Sequence, residues 1–369
     1  MRSIRLTRDS WARPVAIFAS AIALLLAAEF VLFRGAFYRS LLEPDSYAGH
    51  VELLLAAQRQ FAPGPNRAIL VMGDSRIGEG FSAKIANQSA GGARLSFANG
   101  AVPGSTPRSW FYVLRELDPN ATRYGAIILG VDSYSDEDGT WSWADYPIDL
   151  PIAIACLRLT DTLVFAASFH QTVERFHALR GSLLKGFVYK DDLQAFLAAP
   201  RARLQKVAMY RAHTAEWNYD YGGRAESLAG LSVDWATRRI HFPPGLTAAQ
   251  RDELSAAILR ATAPQAGDTY RYRKFWLARI LERYRTTATR IVFARVPRLP
   301  VQRPEPALNL PSSIRELAAA NPGCALLDEN AFAALEKPEY FFDSLHLNAR
   351  GRAAFSQELA SLLRATLAR

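Results

Sequence analysis

The sequence predicts an α/β fold built on a parallel sheet, preceded by one transmembrane helix and interrupted by a large, mostly helical insertion. Three observations predict it. Short apolar runs alternate with helical stretches and end in polar loops, the pattern of buried parallel strands whose site lies at their carboxyl ends. A long apolar run stands near the N-terminus, and about 150 residues between Ser133 and Thr289 carry a helix-like pattern instead of the strand alternation.

Half of the 369 residues are apolar and 21% are charged, which excludes disorder, collagen-like repeats and coiled coils. Two cysteines, Cys156 and Cys324, are too few for a disulfide framework or a four-thiolate zinc site. The net charge of +9 suggests nucleic acid, but its placement argues against that partner. Arg2, Arg5, Arg8 and Arg13 face only Asp9 in the first thirteen residues, directly before the apolar run.

In chain order, residues 1–13 read as a basic cytoplasmic terminus and 14–33 as a membrane anchor. Val15 to Phe33 is broken only by Ser20 and Glu29; at about 1.5 Å per residue its nineteen residues span about 28 Å as a helix, close to a bilayer core. Glu29 lies near the end, where a carboxylate is expected to reach the interface, and the arginines are expected to hold the N-terminus in the cytoplasm. A cut after Ala28 would put Leu26 where a signal peptidase wants a small residue, so the run reads as an anchor. Residues 34–65 read as a stalk with a helical pattern from Tyr47 to Gln60, closed by Pro63-Gly64-Pro65.

A first sheet-forming part covers 66–135. Arg67–Met72 (RAILVM) reads as a buried strand, followed at once by Gly73-Asp74-Ser75; Leu95 to Ala98 leads into Asn99 to Gly104; Ala126–Val131 ends at Asp132. The insertion covers 136–288. A second sheet-forming part, 289–369, holds strand-like Arg290 to Val296 and Cys324 to Leu327, then the loop Phe342 to Asn348. A final helix follows, with Phe355, Leu359, Leu362 and Leu363 at helical spacing.

The chemistry lies in the loops. A serine hydroxyl needs a histidine to take its proton, and the histidine needs a carboxylate to fix its tautomer. Ser75, His346 and Asp343 are the candidates: Ser75 stands in a glycine-flanked turn after the first strand, and Asp343 and His346 lie three apart in one loop. His50, His170, His177, His213 and His241 lack the paired spacing of a metal site, and no dinucleotide or P-loop fingerprint is present, so no metal and no cofactor is predicted.

Together these residues resemble the SGNH (GDSL-like) hydrolase superfamily. Gly73-Asp74-Ser75 stands for its first block, Asn99 to Gly104 for its second, Gly130-Val131-Asp132-Ser133 for its third, and Asp343 to His346 for its last, continued by Asn348 and Gly351. The resemblance covers about 66–133 and 290–367 and implies a flavodoxin-like three-layer fold. It implies Ser75 as nucleophile, His346 as base and Asp343 as its orienter, with Ser75, Gly104 and residue 132 around the oxyanion. Asp132 departs from the pattern, which has asparagine there. An ionised carboxylate would repel the developing charge, and one lost oxyanion donor typically costs about 100- to 1000-fold in rate. Three accounts are open: Asp132 is protonated, it turns away while Asn99 or Ser133 donates, or hydrolysis has been lost.

Anchor, exported domain and insertion are similar to the membrane-tethered branch that includes alginate O-acetyltransferase-like and teichoic-acid D-alanylation accessory proteins. That resemblance implies a single-pass protein of the bacterial inner membrane with its domain in the periplasm or otherwise outside the cytoplasm. It implies a serine acyltransferase or esterase acting on acyl groups, acetyl among them, of an envelope or secreted polysaccharide. Its implied partners are an acylated carbohydrate, the membrane and a multi-pass membrane-bound O-acyltransferase, with no nucleic acid. The alternative is a non-catalytic scaffold or glycan-binding subunit of such a complex. Trp141, Trp143, Tyr146, Trp217, Tyr219 and Tyr221 fall in loop-like stretches and offer flat faces for sugar rings, whereas Trp276, Ile280 and Tyr284 recur at helical spacing and read as core. The basic positions from Arg271 to Arg290 read as a solvated helix face, or as contacts to anionic headgroups or an anionic glycan.

Overall fold

The computed structural model of the chain describes residues 9–90, 94–136, 142–259, 268–301 and 311–367. Five strands form one parallel sheet: β1 (Arg67–Met72), β2 (Leu95–Asn99), β3 (Ala126–Val131), β6 (Arg290–Arg295) and β7 (Cys324–Leu326), in the order β2-β1-β3-β6-β7. The small hairpin of β4 (Ser232–Asp234) and β5 (Arg239–His241) lies in the insertion. Within the sheet the order is that of a doubly wound fold, whose direction of travel reverses between β1 and β3 and opens a crevice at the strand carboxyl ends.

Both faces of the sheet are covered, which is why these strands read as continuous apolar runs. Successive residues nonetheless alternate between two cores. Leu70, Met72, Ile127, Leu129, Ile291 and Phe293 face one; Ile69, Val71, Ile128, Val292 and Ala294 face the other. The second core is closed by the helices Ala83–Ser89 and Ala349–Leu367, the latter contributing Phe355, Leu359 and Leu363 at helical spacing.

The first core corrects two expected boundaries. The helix Tyr47–Gln60, expected in a stalk, buries Val51, Leu54 and Leu55 beneath the sheet, so residues 47–60 belong to the globular fold. Their i, i+3, i+4 spacing makes the apolar stripe that a packed helix needs. The helix Asp268–Tyr284, expected within the insertion, buries Trp276, Leu277 and Ile280 in the same core and leads into β6. It is a covering helix of the doubly wound sheet. The expectation of core for Trp276, Ile280 and Tyr284 agrees with their near-complete burial.

Near the N-terminus, the helix Asp9–Ala28 continues through a π-helical turn, Glu29–Phe33. Arg13–Phe33 is the one helix among the described residues long and apolar enough to cross a membrane. Glu29 does not reach outward as expected: it is 3% exposed and accepts hydrogen bonds from the backbone N–H groups of Lys185 (2.7 Å) and Gly186 (3.0 Å). Those amides open the helix Gly186–Ala198, whose unpaired N-terminal donors and positive dipole end favour a carboxylate. Cys156 and Cys324 are both free thiols, Cys156 fully buried.

Candidate active site

Ser75 is the first residue of the helix Ser75–Gly80, which follows β1 after a two-residue turn. Asp74 caps that helix, its carboxylate accepting from the Arg76 N–H at 2.9 Å. The turn is tight enough to demand glycine at its start, since a Cβ on Gly73 would lie 2.5 Å from Ile77 Cγ1. The carbonyl of Gly73 accepts from Val102 N–H (3.0 Å) and Ser105 Oγ (3.1 Å), which fastens the loop after β2 beside the serine. Gly104 sits in that loop at φ +69°, a left-handed conformation that glycine adopts without strain.

His346 arrives from the other end of the chain. Asp343 Oδ1 accepts from the N–H groups of Leu345 (2.8 Å) and His346 (2.7 Å), folding the loop into a compact turn. The Gly351 N–H donates to Asn348 Oδ1 at 3.0 Å, which holds the loop against the final helix. The two loops meet with His346 Nε2 2.8 Å from Ser75 Oγ and His346 Nδ1 2.8 Å from Asp343 Oδ2. Burial pushes the Asp343 carboxyl up, but the His346 ring and the two backbone donors outweigh it and hold the group below the usual carboxylate range. Asp343 is therefore an acceptor, Nδ1 carries the proton, and Nε2 is left to accept from the Ser75 hydroxyl. The Phe342 ring lies nearly parallel to the imidazole at 5.6 Å and fixes its plane. From the final helix, Arg352 Nη1 donates to the carbonyls of Gly78 (2.7 Å) and Glu79 (2.5 Å), tying the serine's helix to the element that follows the histidine loop.

Asp132 closes the first of the three open accounts and narrows the second. Burial works against its charge, yet Arg76 and Arg273 outweigh it and hold the carboxyl down to about 2. It is ionised, not protonated. Arg273 Nη2 donates to Asp132 Oδ1 at 2.8 Å and Arg76 stands 3.7 Å from Oδ2, while Arg76 also grips Asp74. Asn99 is held elsewhere: its amide donates to the Phe81 carbonyl (3.1 Å) and its oxygen accepts from Ala101 N–H (2.9 Å). The Ser133 N–H is taken by Asp132 itself at 3.0 Å. Of the oxyanion donors the resemblance implies, this leaves the N–H groups of Ser75, at a helix N-terminus, and Gly104.

A carboxylate held below its unfolded pKa stabilises the fold above that pKa, and loses its contribution as pH falls through the folded value. For Asp132 the window runs from about 4 down to about 2. Asp132→Asn should be less stable than the parent at about pH 6, with the gap narrowed by more than half at about pH 2.5 and closing only below about pH 2. Urea midpoints at the two pH values check this; a gap that stays constant would show that the charge of Asp132 contributes nothing.

A cleft adjoins the site, lined in part by Asp74, Arg76, Trp110, Asp132, Trp143 and Arg273. Trp143, predicted as a sugar platform, thus stands beside the serine's loop, its ring 5.7 Å from that of Tyr146. Tyr146 in turn approaches Gly104, as does Tyr47 from the segment expected as stalk. Trp141 lies outside the described residues. Trp217 and Tyr219 fall not in a loop but on the helix Pro200–Asp220, which has proline at its first position and neither glycine nor proline after it; their side chains are outside the description. Tyr221 donates to Glu79 Oε2 at 2.6 Å. Of the basic run, Arg273 belongs to the cleft, Lys274 pairs with Glu316 (2.9 Å), and Arg279 packs over Phe111. Sequence reasoning missed Arg76 and Arg273; the available signal was the unusual acid at 132, which requires a cationic partner when ionised.

No protein-family model matches the chain, and no curated protein matches it.

Proposed function

We propose that the chain is a membrane-anchored, exported serine acyltransferase or esterase of the SGNH type. It acts on O-acyl groups, acetyl among them, of a cell-envelope or secreted polysaccharide. The observation that carries this is the unbroken relay of Ser75, His346 and Asp343, with both links at 2.8 Å. The strand order, which is the flavodoxin-like one, supports it.

In this reading His346 Nε2 takes the Ser75 proton as Oγ attacks the acyl carbonyl, and Asp343 stabilises the imidazolium that results. The tetrahedral oxyanion is held by the N–H groups of Ser75 and Gly104. Asp132, paired with Arg76 and Arg273, is turned to the ion cluster and does not serve as a donor. As the intermediate collapses, His346 returns the proton to the leaving oxygen and an acyl-serine forms. A sugar hydroxyl or water then attacks that ester, again deprotonated by His346. One side of the site carries Trp143, Tyr146 and Tyr47, faces suited to a pyranose.

The missing third oxyanion donor favours a second reading, a non-catalytic scaffold or glycan-binding subunit of a membrane O-acyltransferase complex. One assay separates the readings. Full-length protein in detergent receives an activated acetyl ester with and without oligosaccharide. Acetylated sugar identifies a transferase; equal donor consumption in both arms without acetylated sugar identifies an esterase. No donor consumption, together with no labelling by a fluorophosphonate, would overturn both in favour of the scaffold.

A further inference from the structure

Exposed large apolar side chains are concentrated in one part of the molecule. Outside the anchor, ten of them fall between Leu159 and Met209, Leu159 on a 3-10 turn and the other nine on the insertion helices Thr162–Ala167, Thr172–Leu183, Gly186–Ala198 and Pro200–Asp220. On Thr172–Leu183 the exposed Val173, Phe176 and Leu183 share a face with Arg180, at steps of three and four residues. Arg180 lies over the rings of Phe176 (5.7 Å) and of Phe187 on the next helix (4.7 Å), so these side chains form one continuous apolar patch with a cation in it.

The patch is fixed to the end of the anchor. Glu29 accepts from the amides of Lys185 and Gly186, at the apex between the two helices. Arg34 donates to the carbonyls of Ser182 (2.5 Å) and Leu183 (2.7 Å), and a Cβ on Gly186 would lie 2.9 Å from the Phe33 ring. Glu29 is four residues inside the apolar span Arg13–Phe33, a depth of about 6 Å at about 1.5 Å per residue. Amphipathic helices that lie in a membrane surface bury their apolar face by about 5–10 Å. The apex is thus held at the depth such helices occupy.

We infer that the helical hairpin 172–198 lies on the outer face of the bilayer beside the anchor, with Phe176, Leu183 and Phe187 inserted among the lipid headgroups and Arg180 paired with lipid phosphate. The occupant of the patch is lipid. This rests on the reading of Arg13–Phe33 as a membrane anchor. The domain is then held in a fixed orientation at the membrane rather than swinging on a tether, with helix 47–60 and the cleft carried by the same rigid body.

The test is photo-crosslinking of the full-length protein in vesicles of phosphatidylethanolamine and phosphatidylglycerol that contain a diazirine-bearing lipid, with adducts mapped by mass spectrometry. Adducts are expected on 172–198 as well as on 13–33, and not around Phe275 or Leu345, which are exposed and apolar but lie elsewhere. Phe176→Glu with Phe187→Glu should lower adducts on 172–198 several-fold and leave those on 13–33 unchanged; both positions are exposed, and unchanged fluorophosphonate labelling or far-UV circular dichroism checks that the variant folds. Adducts on 13–33 alone would overturn the inference. Adducts on neither segment would remove the anchor reading itself. If 172–198 resists lipid labelling but crosslinks to a membrane protein in native membranes, the surface is a protein interface and the lipid assignment is wrong.

Discussion

Ser75→Ala and His346→Ala are each expected to lower turnover of an acetyl ester by about 10⁴- to 10⁶-fold, and the double variant to be no worse than either single one. Non-additivity is the decisive part. A serine without its base, or a base without its serine, leaves the same residual chemistry, so once one link at 2.8 Å is cut the other has nothing to act on. Asp343→Asn should lose about 10⁴-fold, because the imidazole can then be held in the tautomer that puts the proton on Nε2. Labelling by a fluorophosphonate followed by intact mass reads the same hierarchy: no adduct on Ser75→Ala, a greatly slowed one on Asp343→Asn. Labelling of Asp343→Asn at the parent rate would remove Asp343 from the relay.

The second large effect concerns stability. Arg108 and Asp149 are both wholly buried and paired at 3.2 Å, where the first core meets the insertion. Arg108 also donates to the carbonyls of Ala144 (2.6 Å) and Ser168 (2.9 Å), and Asp149 accepts from Thr106 (2.6 Å) and Tyr272 (3.2 Å). Burial pushes the Asp149 carboxyl up despite these partners. Breaking one side of such a pair strands the other, and typically costs about 3–5 kcal/mol. Arg108→Met should therefore destabilise the protein by about that amount in urea unfolding, and Arg108→Met with Asp149→Leu by less than the sum of the single changes. Equal stability of Arg108→Met and the parent would mean that the pair contributes nothing net.

How far the sequence could be read depended on how local each interaction is. The strands were legible because a sheet covered on both faces needs unbroken apolar runs, and Arg67–Met72 and Ala126–Val131 have the bounds their apolar residues suggest. Arg290 to Val296 and Cys324 to Leu327 each run one residue past the strand. Ser75 was legible as a candidate because it follows the first strand after a glycine-led turn, and Asp343 and His346 because they lie three apart in the loop before the final helix. What stayed hidden was pairing across distance. Arg273 reaches Asp132 across 141 positions and Lys185 reaches Glu29 across 156, and no local pattern encodes either. A carboxylate in an apolar run looks the same whether it turns to water or caps a distant helix. The helix 47–60 was misplaced for a related reason: its stripe was visible, but the surface it covers is made of strands that come later.

The relay between Ser75 and His346 spans 271 positions. At synthesis rates of about 5–20 residues per second, the histidine emerges roughly 15 to 50 seconds after the serine. Through that interval the serine is an ordinary alcohol, because its proton has no acceptor. If the proposed mechanism holds, the chain has no activated nucleophile while incomplete, and a product truncated before the final loop would not be acylated at Ser75. On the proposed mechanism, labelling at Ser75 would therefore report that the last loop of the chain has been made and docked against the first strand's turn.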